Sequence, residues 1–170
     1  MAKVSELTYC IYLDLEPYLK DWVINDCGGE TPVRFPKLSV ENLNLKTYLI
    51  PLPPNAVPDV ASESSLAIAI PEFKLKPPET YNYLPKAAKF ELKRCIRERF
   101  KIDLWMSLYK FGYIGKRRDK LVEAYMEANG IEVNDTNFHT ILKIYQRQYK
   151  SYLENRRYQK NKLKKTKKCS

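Results

Sequence analysis

The alternation of apolar and polar positions along the first part of the chain predicts short, mixed elements. Residues 8–15, TYCIYLDL, are β-branched and aromatic at strand spacing and read as a strand. Glu16-Pro17 then opens a helix, since proline is tolerated in a first helical turn, and Leu19, Trp22 and Val23 recur at helical spacing. Gly28-Gly29 ends it, because glycine takes the left-handed conformation of a helix C-terminus readily. Pro32-Val-Arg-Phe-Pro36 is fenced by prolines and reads as an edge strand or extended arm. Residues 39–49 read as a short helix with Ser39 as N-cap and with Leu43 and Tyr48 facing inward.

The pattern then breaks and changes period. Residues 51–65, PLPPNAVPDVASESS, hold four prolines without periodicity and read as an exposed loop. Leu66 to Ile70 is a compact apolar strand ended by Pro71. Phe73 to Pro85 is irregular but rich in aromatics, as a connection laid along the next domain would be. From Lys86 onward the period is helical. Ala88, Leu92, Cys95, Ile96 and Phe100 form one face, and Leu104, Trp105, Leu108 and Phe111 form another, before a turn at Gly112 and Gly115. A further helix over 116–129 turns Leu121, Val122, Tyr125 and Met126 inward and stops at Asn129-Gly130. The last helix runs from about Thr136 to about residue 160, with Phe138, Ile141, Leu142, Tyr145, Tyr149 and Tyr152 inward. No internal repeat is present.

These elements predict an α+β fold: a small α/β N-terminal part (1–72), a connecting segment (73–85), a C-terminal helical bundle (86–160) with a helix-turn-helix-like pair, and a flexible basic tail (161–170). The chain has 170 residues, 44% hydrophobic and 12% aromatic, which is material enough for a core and excludes global disorder. No apolar run reaches the ~18–20 residues of a membrane span, and the N-terminus lacks a basic stretch followed by an apolar one, so a cytoplasmic protein without membrane contact is expected.

Candidate chemistry is sparse. Cys10, Cys27, Cys95 and Cys169 share no local spacing, and His139 is the sole histidine, so neither a disulfide framework nor a zinc site is expected. Cys10 and Cys95 sit among apolar residues as small core residues do. The five glycines form neither a phosphate-binding P-loop nor a dinucleotide fingerprint. Glu16, which pairs with Asp14 at a strand-to-helix junction, is explained as a helix N-terminal charge. With one histidine and no nucleophile at an informative spacing, no enzyme, catalytic residue, metal or cofactor is expected. Only nucleases with scattered carboxylate ligands escape such a test.

Charge changes the picture most. Residues 1–70 hold 5 Lys+Arg against 9 Asp+Glu, whereas residues 71–170 hold 25 against 11. From Lys143 to Lys168 there are 11 basic residues and one acid, Glu154. Such asymmetry marks a polyanion-binding protein, or else a solubilising tail. Arginines and tyrosines interleaved with the lysines favour the former, because they add planar hydrogen bonding and stacking.

Two helices with a glycine-containing turn and basic outer positions fit the helix-turn-helix plan, with double-stranded DNA as partner. On that reading Asn137, Thr140 and Lys143 meet base edges, and Arg147, Lys150, Arg156, Arg157 and Lys160 meet phosphates. Lys116, Arg117 and Arg118 crowd a helix N-terminus, where positive charge opposes the helix dipole and a phosphate would relieve it. The plain alternative is a helical hairpin with a solvated outer face, Thr136 and Asn137 serving as caps and His139 being solvated or touching phosphate. Tyr145, Tyr149, Tyr152 and Tyr158 among arginines offer a second reading, stacking of single-stranded nucleic acid, though the first three lie on the core stripe. A membrane-surface role comes third, since the apolar face carries tyrosines rather than Trp and Leu.

Glu16-Pro-Tyr-Leu-Lys-Asp-Trp22, Pro32-Val-Arg-Phe-Pro36 with Ser39-Val-Glu-Asn42, Ala69-Ile-Pro71, Lys76-Pro-Pro-Glu-Thr-Tyr-Asn-Tyr-Leu84 and Asp103-Leu-Trp105 together resemble a small family of proteins from phages and integrated mobile elements of gut Bacteroidales. The similarity covers residues 9 to about 158 and implies context without an activity. A fainter resemblance is to the Mor-type transcription activators of transposable phages, which combine a Gly-Gly, short-strand, proline element, like residues 28–36, with a C-terminal helix-turn-helix ending in a basic helix. Those proteins place the two elements close together; here they are residues 28–36 and 116–160. The charge pattern and the helix pair, set in that context, lead to the expectation of a regulator that grips duplex DNA through residues 116–160, with the N-terminal part forming a homodimer or contacting another protein. The rival from another class is a phage structural or assembly protein whose tail touches DNA without sequence preference.

Overall fold

The computed structural model describes residues 8–111 and 117–166, of which 110, 111 and 161–166 are described by backbone only. Among the described residues two strands and five helices form an α+β fold with a C-terminal helical part. β1 (Cys10–Asp14) and β2 (Ser65–Ala69) pair antiparallel, with Cys10 opposite Ala69 and Asp14 opposite Ser65. Ile11 and Leu13 alternate into the core from β1, as the period of a half-buried strand requires. Val33 joins the sheet edge: its N–H donates to the Ala67 carbonyl and its own carbonyl accepts from Ala69, both at 2.9 Å. That pairing is one isolated parallel bridge with Ile68.

α1 (Pro17–Asp26) starts with proline in its first turn and stops where Gly28 and Gly29 adopt φ of 102° and 81°. The Gly29 N–H returns to the Ile24 carbonyl at 2.8 Å, a closure that residues with a Cβ resist. α2 (Val40–Tyr48) is capped by Ser39, whose hydroxyl accepts from the Asn42 N–H at 3.1 Å. Its other end is covered by Lys76, whose ammonium donates to the Thr47 and Leu49 carbonyls at 3.1 and 2.8 Å.

The inward face of α2 corrects the hydrophobic pattern. Leu43 and Tyr48, inward by spacing, are exposed, and the buried residues are Glu41, Asn42 and Leu45. Polar groups go inside where partners wait for them. Glu41 lies 2.6 Å from the Arg99 guanidinium, and the Asn42 amide donates to the Pro36 carbonyl at 3.2 Å. The proline-rich stretch 51–64 is exposed over most of its length yet tied down: Asp59 pairs with Lys89 at 2.6 Å, and the Glu63 carbonyl accepts from Lys20 at 2.7 Å.

α3 (Lys86–Phe111) buries Ala88, Leu92, Ile96, Phe100, Leu104 and Leu108. Every fourth residue is buried, and such a line winds slowly around a helix of 3.6 residues per turn, so no single face is apolar from end to end. Tyr18 and Trp22 meet the Phe100 ring edge-on at 5.1 and 5.4 Å. The chain divides into two compact units: Met1–Phe100 with Asn129–Glu132, and Lys101–Ala128 with Val133–Ser170. The division thus falls within α3, where residues 73–85 were expected to mark it. Those residues belong to the first unit instead. Ile50 and Tyr83 exchange backbone hydrogen bonds at 3.0 and 3.1 Å, and Leu84 is fully buried.

α4 (Arg118–Ala128) buries Leu121, Val122, Tyr125 and Met126, the face its spacing predicts. α5 (Asp135–Thr166) is 32 residues long and continues past the end expected near residue 160, since its Lys-, Gln- and Leu-bearing sequence contains no glycine or proline to stop it. Residues 129–132, between α4 and α5, pack within the first unit. Gly130 has φ of 65° with the Asn25 side chain 3.2 Å from where a Cβ would stand, and the Glu132 N–H donates to Asp21 at 3.2 Å.

Candidate nucleic-acid interface

The second unit is held by one apolar seam with polar fastenings. Ile141 and Tyr145 from α5 are buried, as are Leu104 and Leu108 from α3 and the apolar face of α4. Tyr125 donates its hydroxyl to Asp103 at 2.7 Å, and the Gln148 amide donates to the Lys101 carbonyl at 2.9 Å. Trp105 is surrounded by Tyr109, Tyr145, Tyr149 and Tyr152, ring centroids 5.4–6.5 Å away. Burial raises the Tyr145 phenol above its ordinary value. Tyr149 also carries the Arg118 guanidinium over its ring at 4.5 Å. Three of the four tyrosines offered for single-strand stacking therefore already pack against other rings, and Tyr158 is the one that is exposed.

The start of α5 moves the outward face by a residue. Asn134 is the cap: its side-chain oxygen accepts from the Asn137 N–H at 2.9 Å, and its carbonyl accepts from Phe138 at 2.9 Å. Asn137, expected at a base edge, is instead 2% exposed and belongs to the seam. Phe138, expected inward, is half-buried. Thr140 is half-buried too, and its hydroxyl donates to the Thr136 carbonyl at 2.7 Å. An apolar count along the helix could not find this register, because the seam includes an asparagine.

At 100° per residue, Thr136, His139, Lys143, Arg147, Lys150, Glu154 and Arg157 share one stripe on the side of α5 opposite Ile141, Tyr145 and Gln148. All seven are exposed. Gln146 lies beside the stripe and is exposed as well. Arg156 and Lys160 are exposed but off it, and everything from Glu154 to Lys160 stands clear of the seam. Among the described residues none of the six cations from Lys143 to Lys160 has an ion-pair partner. The stripe from residue 136 to 157 spans ~32 Å of helix, close to one turn of duplex. Of the three cations around the start of α4, Arg117 is exposed, Arg118 is the one over Tyr149, and Lys116 lies outside the described residues. Thr136, His139 and Gln146 are the outward residues missed in the base-edge set; the polar spacing 136, 139, 143, 146/147, 150 carries their signal.

The cysteines add no chemistry to this face. Cys10, Cys27 and Cys95 are free and half-buried rather than core, burial raises each thiol above its ordinary value, and Cys169 lies outside the described residues. Among the described residues no helix is long and apolar enough to cross a membrane. No family model matches the chain, and no curated protein or solved structure is found similar to it.

Proposed function

We propose that this chain binds double-stranded DNA through the outer face of α5 and serves a phage or mobile element as a cytoplasmic regulator. The observation that supports it is the exposed, unpaired stripe of Lys143, Arg147, Lys150 and Arg157 opposite an aromatic seam. A helix rigidly seated on one side and basic on the other is what a major groove accepts. In this reading α4 is the supporting helix. The connection from Asn129 to Asn134 is longer than the usual 3–4 residues of a helix-turn-helix. Thr136, His139, Lys143 and Gln146 face base edges near the helix start, where Thr suits a thymine methyl, Lys a guanine and Gln an adenine. Arg147, Lys150 and Arg157 meet phosphates, with Arg156 and Lys160 extending the contact.

The test is selection from a random duplex pool at about 150 mM salt, with the full chain and with an Arg147→Ala/Lys150→Ala variant. One enriched motif is expected for the full chain. The variant should bind every sequence more weakly, and its log-affinity against log-salt slope should flatten by about two. An unchanged slope removes those residues from the phosphate contact. Binding without enrichment would favour the rival, a phage structural or interaction protein with a non-specific basic arm.

A further inference from the structure

Residues 1–70 hold five Lys and Arg against nine Asp and Glu, yet three of those five, Arg34, Lys37 and Lys46, line one groove of about 1120 Å³ in the first unit. None of the nine acids lines it. Glu41, on the helix that forms one wall, points away into the protein, where it is 1% exposed beside Arg99. Among the described residues the three cations have no ion-pair partner. Lys37 precedes the cap of α2 by two residues, at the helix end where positive charge has the wrong sign. The groove is apolar between these charges: Phe35 is buried in its wall, while Leu38 is 100% and Leu43 60% exposed. A leucine with nothing over it beside another on the same rim is surface prepared for a cover.

We propose that this groove docks a short acidic peptide segment of a partner protein, its carboxylates meeting Arg34, Lys37 and Lys46 and its apolar side chains covering Leu38 and Leu43. Charge complementarity selects that occupant. Glu72 and Glu79 complete the rim, so a nucleic-acid strand or an anionic lipid surface, negative at every repeat, would meet repulsion there. A peptide places its acids opposite the three cations and neutral residues opposite the two glutamates. The volume exceeds the ~300–1,000 Å³ of small-molecule pockets, which also favours a chain segment. This inference does not depend on DNA binding.

The test uses a displayed library of random peptides selected on the full chain carrying Arg147→Ala/Lys150→Ala, which weakens capture of acids by the α5 stripe, and the groove variants below separate what capture remains. Enriched peptides should combine Asp or Glu with Leu or Phe. A peptide resynthesised from that pool should bind about tenfold or more weakly to Lys37→Glu/Lys46→Glu and to Leu43→Asp. These positions are exposed, so unchanged thermal unfolding of the variants is expected. In the chain with Arg147 and Lys150 intact, the groove substitutions should leave the salt slope of DNA binding unaltered. Failure to enrich any peptide, enrichment of basic peptides, or binding indifferent to both groove variants would overturn the proposal. So would a concentration-dependent dimer in sedimentation that Leu43→Asp abolishes, since a second copy would then be the occupant.

Discussion

The first part of α3 and the outer part of α5 are equally basic, and their cations have opposite fates. Residues 86–100 hold six Lys and Arg, and residues 143–160 hold six as well. In α3, Lys89 pairs with Asp59, Arg94 with Glu91, Arg97 with Glu16, and Arg99 with both Asp26 and Glu41. Four of six are thus neutralised inside the molecule, three of them by acids from residues 1–70. Among the described residues none of the six in α5 is paired. Counted over the compact units, the first holds 13 Lys+Arg against 14 Asp+Glu and the second 17 against 6, net −1 and +11. The acidity of the N-terminal sequence is therefore largely consumed by the cations folded onto it. Basic residues are left open to a ligand only where the fold supplies no carboxylate to answer them.

The sharpest break of that comparison is Arg99→Met. Arg99 reaches Asp26 at 2.5 Å and Glu41 at 2.6 Å, and its guanidinium lies 4.7 Å over the Trp22 ring. Burial works against its charge, yet the bond to Asp26 and the Glu41 carboxylate hold its pKa above the ordinary arginine value. Removing it leaves the Glu41 carboxyl, 1% exposed, without its ion-pair partner, which should cost about 3 kcal/mol or more in urea unfolding. Adding Glu41→Leu should restore most of the loss, because replacing both partners removes the uncompensated charge. Arg147→Ala, by contrast, should change stability by less than about 0.5 kcal/mol. Equal costs at the two sites would erase the distinction.

Titration sharpens the same contrast from the packed side. Burial, with the Glu16 carboxylate adding to it, pushes the Tyr18 phenol up to about 12. The folded protein holds that proton more tightly than the unfolded chain. Its contribution is therefore whole below pH ~10 and is lost as pH rises through the interval from ~10 to ~12, about 2–3 kcal/mol in all. Tyr18→Phe should flatten the alkaline fall in stability between pH 9 and 12, and a fall of the same size in that variant would remove Tyr18 as its cause. At the acid end the sign reverses. Burial raises the Glu16 pKa, but its ion pair with Arg97 outweighs burial and lowers it. That contribution is present above the ordinary carboxylate range and is lost as pH falls through the folded value; Arg97→Gln should weaken the acid dependence.

What could be read from the chain follows from which interactions are local. The strand at 10–14, the Pro17 start and Gly28-Gly29 stop of α1, the Ser39 cap and the buried face of α4 depend on neighbours within a few residues, and spacing reveals them. The inverted face of α2 does not, because Glu41 is inside only by virtue of Arg99, 58 positions later. The unit boundary within α3 has the same origin: Arg97 and Phe100 belong to the first unit through Glu16, Tyr18 and Trp22. On α5 the cationic positions were legible individually. Their register was not, since the cap at Asn134 and the buried Asn137 shift the outward stripe onto Thr136, His139 and Gln146.

That register leads to the smallest effect and the most selective one. Asn137 and Gln146 are both amides on α5, and on sequence alone either suits an adenine edge. Asn137 is 2% exposed with its N–H on the Asn134 cap, whereas Gln146 is exposed beside Lys143 and Arg147. Asn137→Ala should therefore lower stability by about 1 kcal/mol, the loss of a buried amide's bonds, and leave the enriched DNA motif unchanged. Gln146→Ala should leave unfolding within about 0.5 kcal/mol of the parent and relax preference at one base pair by about 1 kcal/mol. Pool selection and urea unfolding on the same two variants separate the outcomes. A motif altered by Asn137→Ala and untouched by Gln146→Ala would return the reading face to the register that apolar spacing implies, and would mean that α5 rotates when it meets DNA.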